Sequence, residues 1–225
     1  MEMFELSPLS FFLGIATVIG VALLRFHFPF RYQYFCYFVK NRPKLIKKIL
    51  TRSYLKNKSA VGILDKATSD ILAGSYDDAE KHILEGINLV LNSGGARNQI
   101  IRNYLFNHLS WLLYYKGLHR ESLEIALRLY EKIPSTPNIL ALISCNFARI
   151  GEIGKAIEIK SEYIKKGKTN PSVILSCEAE IEAAKGNLQK AVELFNKAKK
   201  KKSYISVCFH HPEIEKRIGQ LTKAA

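Results

Sequence analysis

Three glycines at a nearly constant spacing constrain the fold of this chain more than any other feature. Gly117, Gly151 and Gly186 lie 34 and 35 residues apart, and each is followed five residues later by a small residue. Repeats of this length are typical of paired helices in a solenoid, where each pair buries its apolar face by stacking on the next. The spacing therefore predicts an all-α fold. Each glycine should end a first helix, and each small residue should lie at a tight contact in the second.

An irregular copy precedes these three. Gly74 and Ala79 keep the five-residue relation, but Gly74 lies 43 residues before Gly117, so about nine residues are inserted between the copies. The turn-forming stretch Asn92–Gly95 marks the insertion, which we interpret as a longer second helix and a longer turn. The sequence thus predicts an α-solenoid of about four helix pairs over residues 59–202.

The copies resemble the tetratricopeptide repeat (TPR) family over roughly 140 of the 225 residues. The resemblance rests on Gly-x-Tyr-x-x-Ala at 74–79, on Leu109, Leu113, Gly117, Ala126 and Pro134, on Ile143, Phe147, Gly151 and Ala156, and on Gly186, Ala191, Phe195 and Ala198. It departs from the family pattern at the first-helix Trp, at Ser122 and at Lys160. The Lys/Asn clamp for acidic chaperone tails is not reproduced, so we do not predict a chaperone-tail receptor.

Resemblance to TPR proteins implies a concave groove lined by the first helices. The residues expected there are Tyr104, Asn107, Trp111, Tyr114, Asn138, Ala141, Cys145, Ser176 and Glu180. An extended partner segment could take backbone hydrogen bonds from the two asparagines and apolar anchors from the aromatic residues, which are enriched in binding hot spots. The alternative is that Trp111 and the tyrosines only pack between repeats.

An apolar stretch occupies the N-terminus. Leu9–Leu24 contains no charged residue in sixteen, and a bilayer core needs about 20 residues of helix. The amphipathic repeat helices do not need so uniformly apolar a partner, which argues against a buried core helix. The acidic start and the lack of a small-x-small site favour an uncleaved anchor over a signal peptide. We therefore predict a transmembrane anchor over residues 1–30.

The charges around this stretch predict its orientation. Ten Lys and Arg lie between Arg25 and Lys58, none precedes the stretch, and no Asp or Glu lies between Glu5 and Asp65. The positive-inside rule then places the N-terminus outside and the repeats in the cytoplasm, as a single-pass membrane protein. Four cysteines without any pairing spacing suit a reducing compartment.

Residues 31–58 form a basic juxtamembrane segment. Five aromatic residues follow the apolar stretch, as in an interfacial belt, and Lys44–Lys56 is patterned as an amphipathic helix lying in a membrane interface. The expected membrane-surface residues are Arg42, Lys44, Lys47, Lys48, Arg52 and Lys56. Two alternatives are a charged linker that only sets topology and a nucleic-acid-binding arm.

The C-terminal residues 203–225 predict a helix that caps the solenoid. Pro212 suits its first turn, and its few apolar residues line one side. Nearby, His210-His211 beside Cys208 lacks a second ligand pair at zinc-site spacing. We find no phosphate loop, metalloprotease motif or nucleophile elbow in the sequence. The sequence therefore predicts no metal, no cofactor and no enzymatic activity.

These features favour a membrane-anchored scaffold or adaptor that binds a protein partner at the cytoplasmic membrane face. A membrane-tethered, RNA-binding helical repeat protein is the alternative, because two basic runs contribute most of the formal charge of +14. A soluble protein with a cleaved leader is a third possibility. The sequence does not specify the partner or the oligomeric state.

Overall fold

The computed structural model describes residues 8–56, 58–91, 93–134, 136–167 and 169–224, and every regular element in these ranges is helical. In chain order the α-helices are α1 (Pro8–His27), α2 (Arg31–Phe38), α3 (Pro43–Lys56), α4 (Ala60–Ala73), α5 (Tyr76–Leu91), α6 (Ala96–Tyr115), α7 (His119–Lys132), α8 (Pro137–Arg149), α9 (Ile153–Lys165), α10 (Pro171–Ala184), α11 (Leu188–Lys200) and α12 (His211–Ala224). A short 3-10 helix, Phe28–Phe30, joins α1 to α2. The predicted all-α fold is confirmed.

The glycine spacing marks the ends of the first helices. Gly74, Gly117, Gly151 and Gly186 follow α4, α6, α8 and α10, and their φ angles lie between 77° and 87°. This left-handed conformation is open to glycine without a steric penalty, so each glycine ends a helix and reverses the chain. The small residues five positions later are Ala79, Ser122, Ala156 and Ala191, and all four are fully buried. The four helix pairs therefore stack as a TPR-like solenoid.

In two of the helix pairs, an equivalent hydrogen bond joins the first helix to the second, at positions 34 residues apart. Ser110 Oγ donates to the carbonyl of Ser122 at 2.7 Å, and Ser144 Oγ donates to the carbonyl of Ala156 at 2.7 Å. Both serines are buried, where an unpaired hydroxyl would be costly. In both pairs, a serine hydroxyl of the first helix therefore donates to a backbone carbonyl of the second helix. The small residue in the second helix allows the two backbones to approach closely enough for this bond.

The insertion lies partly in a different place from the one predicted. Helix α5 has 16 residues and α6 has 20, whereas the helices of the last two pairs have 13 or 14. Most of the added length therefore extends the first helix of the second pair, and not only the preceding helix and turn. Gly95, at φ 95°, directly precedes the start of α6. The N-terminal turns of α6 thus extend past the length of its neighbour α8.

Helix α1 has no buried residue. Within the described residues, one helical stretch is long and apolar enough to cross a membrane, and it is not covered by the rest of the chain. A buried core helix is therefore not what this segment forms. Residues 1–7, the predicted outer end of the anchor, lie outside the described residues.

Helix α3 corrects the prediction of a helix whose apolar face lies in the membrane. Ile46 and Leu50 are buried, together with Cys36 of α2, and α3 packs closely on α4. The part of the apolar face that Ile46 and Leu50 form is covered by protein and cannot also enter lipid, whereas Ile49 is only partly buried. The packed core therefore continues from the repeats into the juxtamembrane segment. The basic side of α3 remains exposed to solvent.

The C-terminal segment does more than cap the last pair. Ile214 and Leu221 of α12 are buried, and α12 packs on α11 but also reaches α4. Tyr76, at the start of α5, donates a hydrogen bond to Glu213 at 2.8 Å. The C-terminal segment, which we define as residues 203–224, therefore crosses from the last helix pair to the first.

Gly86 supports the close approach of α5 to its neighbours. A Cβ at this position would lie 3.0 Å from both δ-carbons of Leu105 and 3.2 Å from Ile63 Cγ2, and both neighbours are buried. We expect Gly86→Val to lower the free energy of unfolding by about 1–3 kcal/mol through overpacking. Thermal unfolding of the full chain in detergent measures this change. Gly154→Val is the control, because no atom lies within 4 Å of that Cβ position; an equal loss in both variants would contradict the packing role.

Candidate partner-binding surface

The predicted groove residues fall into two groups in the structure. Buried members are Trp111, Tyr114, Ala141, Cys145, Ser176 and Glu180. Tyr104 is 50% exposed, and Asn107 and Asn138 are half-buried. The expectation that all of them line one open groove is therefore corrected: Tyr104 is exposed, the two asparagines are half-buried, and the others are covered.

Trp111 is covered by the chain's own C-terminal segment. Its side chain has 0% exposure, and its ring meets the ring of Phe209 edge-on at 5.2 Å between centroids. Phe209 also packs against Tyr114, at 5.8 Å. Trp111 and Tyr114 therefore pack within the protein, but the alternative prediction, that they pack only between repeats, did not include the C-terminal segment that covers them.

Tyr115 holds this segment in place and was missed by the sequence interpretation. Its hydroxyl accepts a hydrogen bond from the Phe209 backbone N–H at 2.8 Å and donates one to the Val207 carbonyl. Burial raises the pKa of Tyr115 well above its usual value, so the phenol stays protonated and can donate. Phe209 has a φ of 49°, a left-handed conformation that non-glycine residues seldom adopt. No local pattern could indicate a contact over 94 positions.

Glu180 joins four helices. Arg217 of α12 binds the Glu180 carboxylate with Nε 3.1 Å from Oε1 and Nη2 2.9 Å from Oε2. Tyr114 of α6 donates to Oε1 at 2.8 Å, and Arg149 of α8 lies 3.6 Å from Oε2. Glu180 is 2% exposed, and burying a charged carboxylate is costly unless ion pairs and hydrogen bonds compensate it. The predicted partner contact is therefore a structural ion pair.

Cys145 and Ser176 make contacts inside the repeats. The Cys145 and Cys177 sulfurs lie 3.4 Å apart between α8 and α10, although 32 residues separate them. All four cysteines are free and buried, and burial raises the pKa of Cys145. Ser176 Oγ donates to the Ser172 carbonyl at 2.9 Å. Neither side chain is available to a partner.

An open cleft remains beside α6. It has a volume of about 170 Å³ and is lined by Ile100, Asn103, Tyr104, Asn107, Leu129, Ile133, Thr136 and Ile139. Helix α8 packs closely on α10 but contacts α6 only over a short length, which leaves this gap at the extended end of α6. We call it the α6–α8 cleft.

One polar atom in the α6–α8 cleft has no partner. Among the described residues, the buried Asn107 Oδ1 accepts no hydrogen bond. Asn138, the other predicted backbone-binding residue, accepts from the Tyr163 hydroxyl at 3.3 Å. Because Oδ1 itself is covered, a backbone N–H of another molecule would reach it only after the Asn107 side chain turns toward the cleft. Such a hydrogen bond would remove the cost of about 1–3 kcal/mol for an unpaired buried acceptor.

The predicted membrane-surface residues are all exposed. Four of them line two different hollows on either side of α3. Lys44 and Lys47 line a hollow shared with α4 and the C-terminal segment, whereas Arg52 and Lys56 line a groove shared with α2.

His210, the centre of the nearest metal-like sequence cluster, is used in packing. Its Nε2 lies 3.0 Å from the Tyr76 hydroxyl, and its ring meets Tyr115 edge-on at 4.9 Å. Burial, followed by the nearby Lys202 charge, lowers the pKa of His210 to about 3. Within the ranges that the structure covers, no group of three His, Cys, Asp or Glu side chains is placed to hold a metal ion.

Comparison with known proteins gives one similar fold. No family model matches the chain, and no curated protein sequence matches it. A crystal structure of a tetratricopeptide repeat protein from Parabacteroides merdae ATCC 43184 is similar to this chain, with a TM-score of 0.49 and 14% identity, over 97% of this chain and 87% of that chain. The description of this protein as a TPR-like α-solenoid rests on its own helix pairs, left-handed glycines and buried small residues.

Proposed function

We propose that the protein is a membrane-anchored scaffold that binds a segment of a partner protein in the α6–α8 cleft, without catalysis. The observation that carries the proposal is the unpaired Asn107 Oδ1 next to the half-exposed Tyr104 ring in an apolar cleft. Tyrosine combines a large apolar surface with a polar tip and is enriched in binding hot spots. The cleft thus has an anchor and a hydrogen-bond acceptor that the fold itself does not use.

The exposed helix α1 supports the anchor. Nine of its large apolar side chains are more than half exposed: Leu9, Phe11, Phe12, Leu13, Val18, Ile19, Val21, Leu23 and Leu24. Transfer of that many side chains out of water stabilises by on the order of 10 kcal/mol. A helix of 20 residues is about 30 Å long, which matches a bilayer core. The ten basic residues that follow favour the orientation with the repeats in the cytoplasm.

Site-specific photocrosslinking tests the proposal. A benzophenone amino acid at position 104 should form adducts with a partner in native membranes, because this side chain lies at the mouth of the cleft. The matched position is Leu127 of α7, which is also exposed but lies outside the cleft. The same adducts from both positions would contradict a specific cleft.

Asn107→Ala should then reduce the position-104 adduct by about fivefold to thirtyfold, the loss expected for one hydrogen bond to a partner. Asn98→Ala is the control on the same helix, since Asn98 donates to the nearby Gly94 carbonyl at 3.1 Å and does not line the cleft. An undiminished adduct in Asn107→Ala, with an unchanged melting temperature, would remove the assigned role of this acceptor.

A further inference from the structure

A second groove lies between α2 and α3, directly after the proposed membrane span. The two helices pack together through Cys36 and Ile46 on their inner side. On the outer side they leave an open groove of about 430 Å³. Its lining includes the apolar Phe35, Phe38 and Ile49 and the basic Arg31, Arg52 and Lys56. Aromatic and basic side chains thus share one wall at the end of the span.

The protein offsets the charge of the three basic residues only slightly. Burial raises the pKa of Asp65 to about 6, and the Arg31 charge, the smallest of the opposing effects, acts to lower it. No Asp or Glu lies between Glu5 and Asp65. Asp65 is fully buried and accepts hydrogen bonds from Gln33 at 2.8 Å and from Ser53. Within the described part of the chain, neither Arg31, Arg52 nor Lys56 forms an ion pair. The groove is therefore complementary to an anion.

Arg31 is held in a fixed position at one end of the groove. Its guanidinium lies 4.2 Å from the centroid of Phe28 and 4.7 Å from that of Tyr32, and Nη1 donates to the Phe28 carbonyl at 3.0 Å. Arginine has five N–H donors, so most of them remain free. A planar donor group held in this way is suited to bind a phosphate through two hydrogen bonds.

The apolar wall of the groove indicates which kind of anion fits. Phe35 is 59% exposed and Phe38 is 82% exposed, and such aromatic rings lie favourably at the interface between headgroups and acyl chains. A soluble phosphate would leave these rings in water. An anionic phospholipid would cover them with its acyl chain while its phosphate meets the basic residues.

We propose that this groove binds one anionic phospholipid, with the phosphate between Arg31, Arg52 and Lys56 and the first acyl carbons on Phe35, Phe38 and Ile49. This inference rests on the proposed membrane anchor, which keeps the groove at the bilayer surface. It goes further than diffuse attraction of a basic helix to a charged membrane, because it assigns one lipid to one side of α3.

The experiment compares two double substitutions on α3 that remove the same charge. Arg52→Gln with Lys56→Gln changes the groove, and Lys44→Gln with Lys47→Gln changes the other side of the helix. The full-length chain is reconstituted in nanodiscs of phosphatidylcholine and phosphatidylglycerol. Native mass spectrometry after detergent extraction then counts the retained lipids.

We expect one phosphatidylglycerol per chain in the wild type and in the Lys44/Lys47 variant, and about tenfold weaker retention in the Arg52/Lys56 variant. Glycerol 3-phosphate, which has the anionic group without acyl chains, should not displace the lipid. Equal losses in both variants, equal retention of phosphatidylcholine, or displacement by glycerol 3-phosphate would each overturn the proposal.

Carbonate extraction of membranes keeps this inference separate from the proposed function. A chain released by carbonate would contradict the anchor itself. A chain that stays in the membrane but retains no phosphatidylglycerol would contradict only the lipid site.

Discussion

Trp111→Ala is expected to lower the free energy of unfolding by about 3–5 kcal/mol, the usual cost of removing a fully buried tryptophan. The side chain is fully buried on α6, with ring contacts to Tyr114 and Tyr115 of the same helix and to Phe209 of the C-terminal segment. For a chain of this length the change corresponds to a fall in melting temperature of roughly 10 °C. Thermal unfolding of the full chain in detergent, followed by circular dichroism, measures it.

Tyr104→Ala is the control for this prediction. Tyr104 lies on the same helix, but it is half exposed, so the melting temperature should change by no more than about 2 °C. If Trp111→Ala left stability unchanged and instead abolished partner binding, the tryptophan would be a groove anchor. The placement of Phe209 over it would then be wrong.

Glu180→Gln is expected to destabilise the protein by about 3 kcal/mol or more. The substitution keeps the shape of the side chain but leaves Arg149 and Arg217, both largely buried, without a carboxylate. Removing one partner of a buried ion pair is costly because the remaining charge stays out of water. The measurement is chemical unfolding of the full chain.

An exposed pair provides the contrast. Glu124 and Arg128 form an i,i+4 ion pair at 2.6 Å, with side chains 63% and 74% exposed. Glu124→Gln should cost less than about 1 kcal/mol. The double variant of Glu180→Gln with Arg217→Gln should be less destabilised than the sum of the two single variants, since the two side chains interact directly. Strict additivity would show that the pair does not couple α10 to α12.

The C-terminal segment covers part of the surface that the sequence predicts for a partner. The surface predicted for a partner from the first helices is divided. The chain itself covers Trp111, Tyr114 and Glu180, while Tyr104 is half exposed and Asn107 is half-buried beside it in the α6–α8 cleft. The experiments above therefore probe Tyr104 and Asn107 for partner binding, and probe Trp111 for stability.

Local patterns in the sequence were sufficient for the repeat architecture. Glycine is favoured where a helix ends with a positive φ, and a small residue is favoured where two helices touch. Gly117 and Ser122 therefore indicate the local structure within a few positions of each residue. The apolar, uncharged run at the N-terminus likewise predicts a helix that the rest of the described chain does not bury. Both signals repeat or extend over many residues and depend only on neighbours in the chain.

Contacts between distant segments were decided by the tertiary structure. The apolar face of α3 has the composition of an interfacial helix, yet Ile46 and Leu50 pack on the repeats. Cys145 and Cys177 are 32 residues apart in sequence, but their sulfurs lie 3.4 Å apart, because α8 and α10 pack directly on each other.

The hydrogen bonds from Tyr115 to the C-terminal segment span more than 90 residues. Amphipathic periodicity predicts that the apolar face of a helix is covered, but it does not identify the segment that covers it. The sequence therefore determined the repeats and the exposed apolar helix. Only the tertiary structure decided which part of the groove stays open, because the segment that fills the rest comes from the far end of the chain.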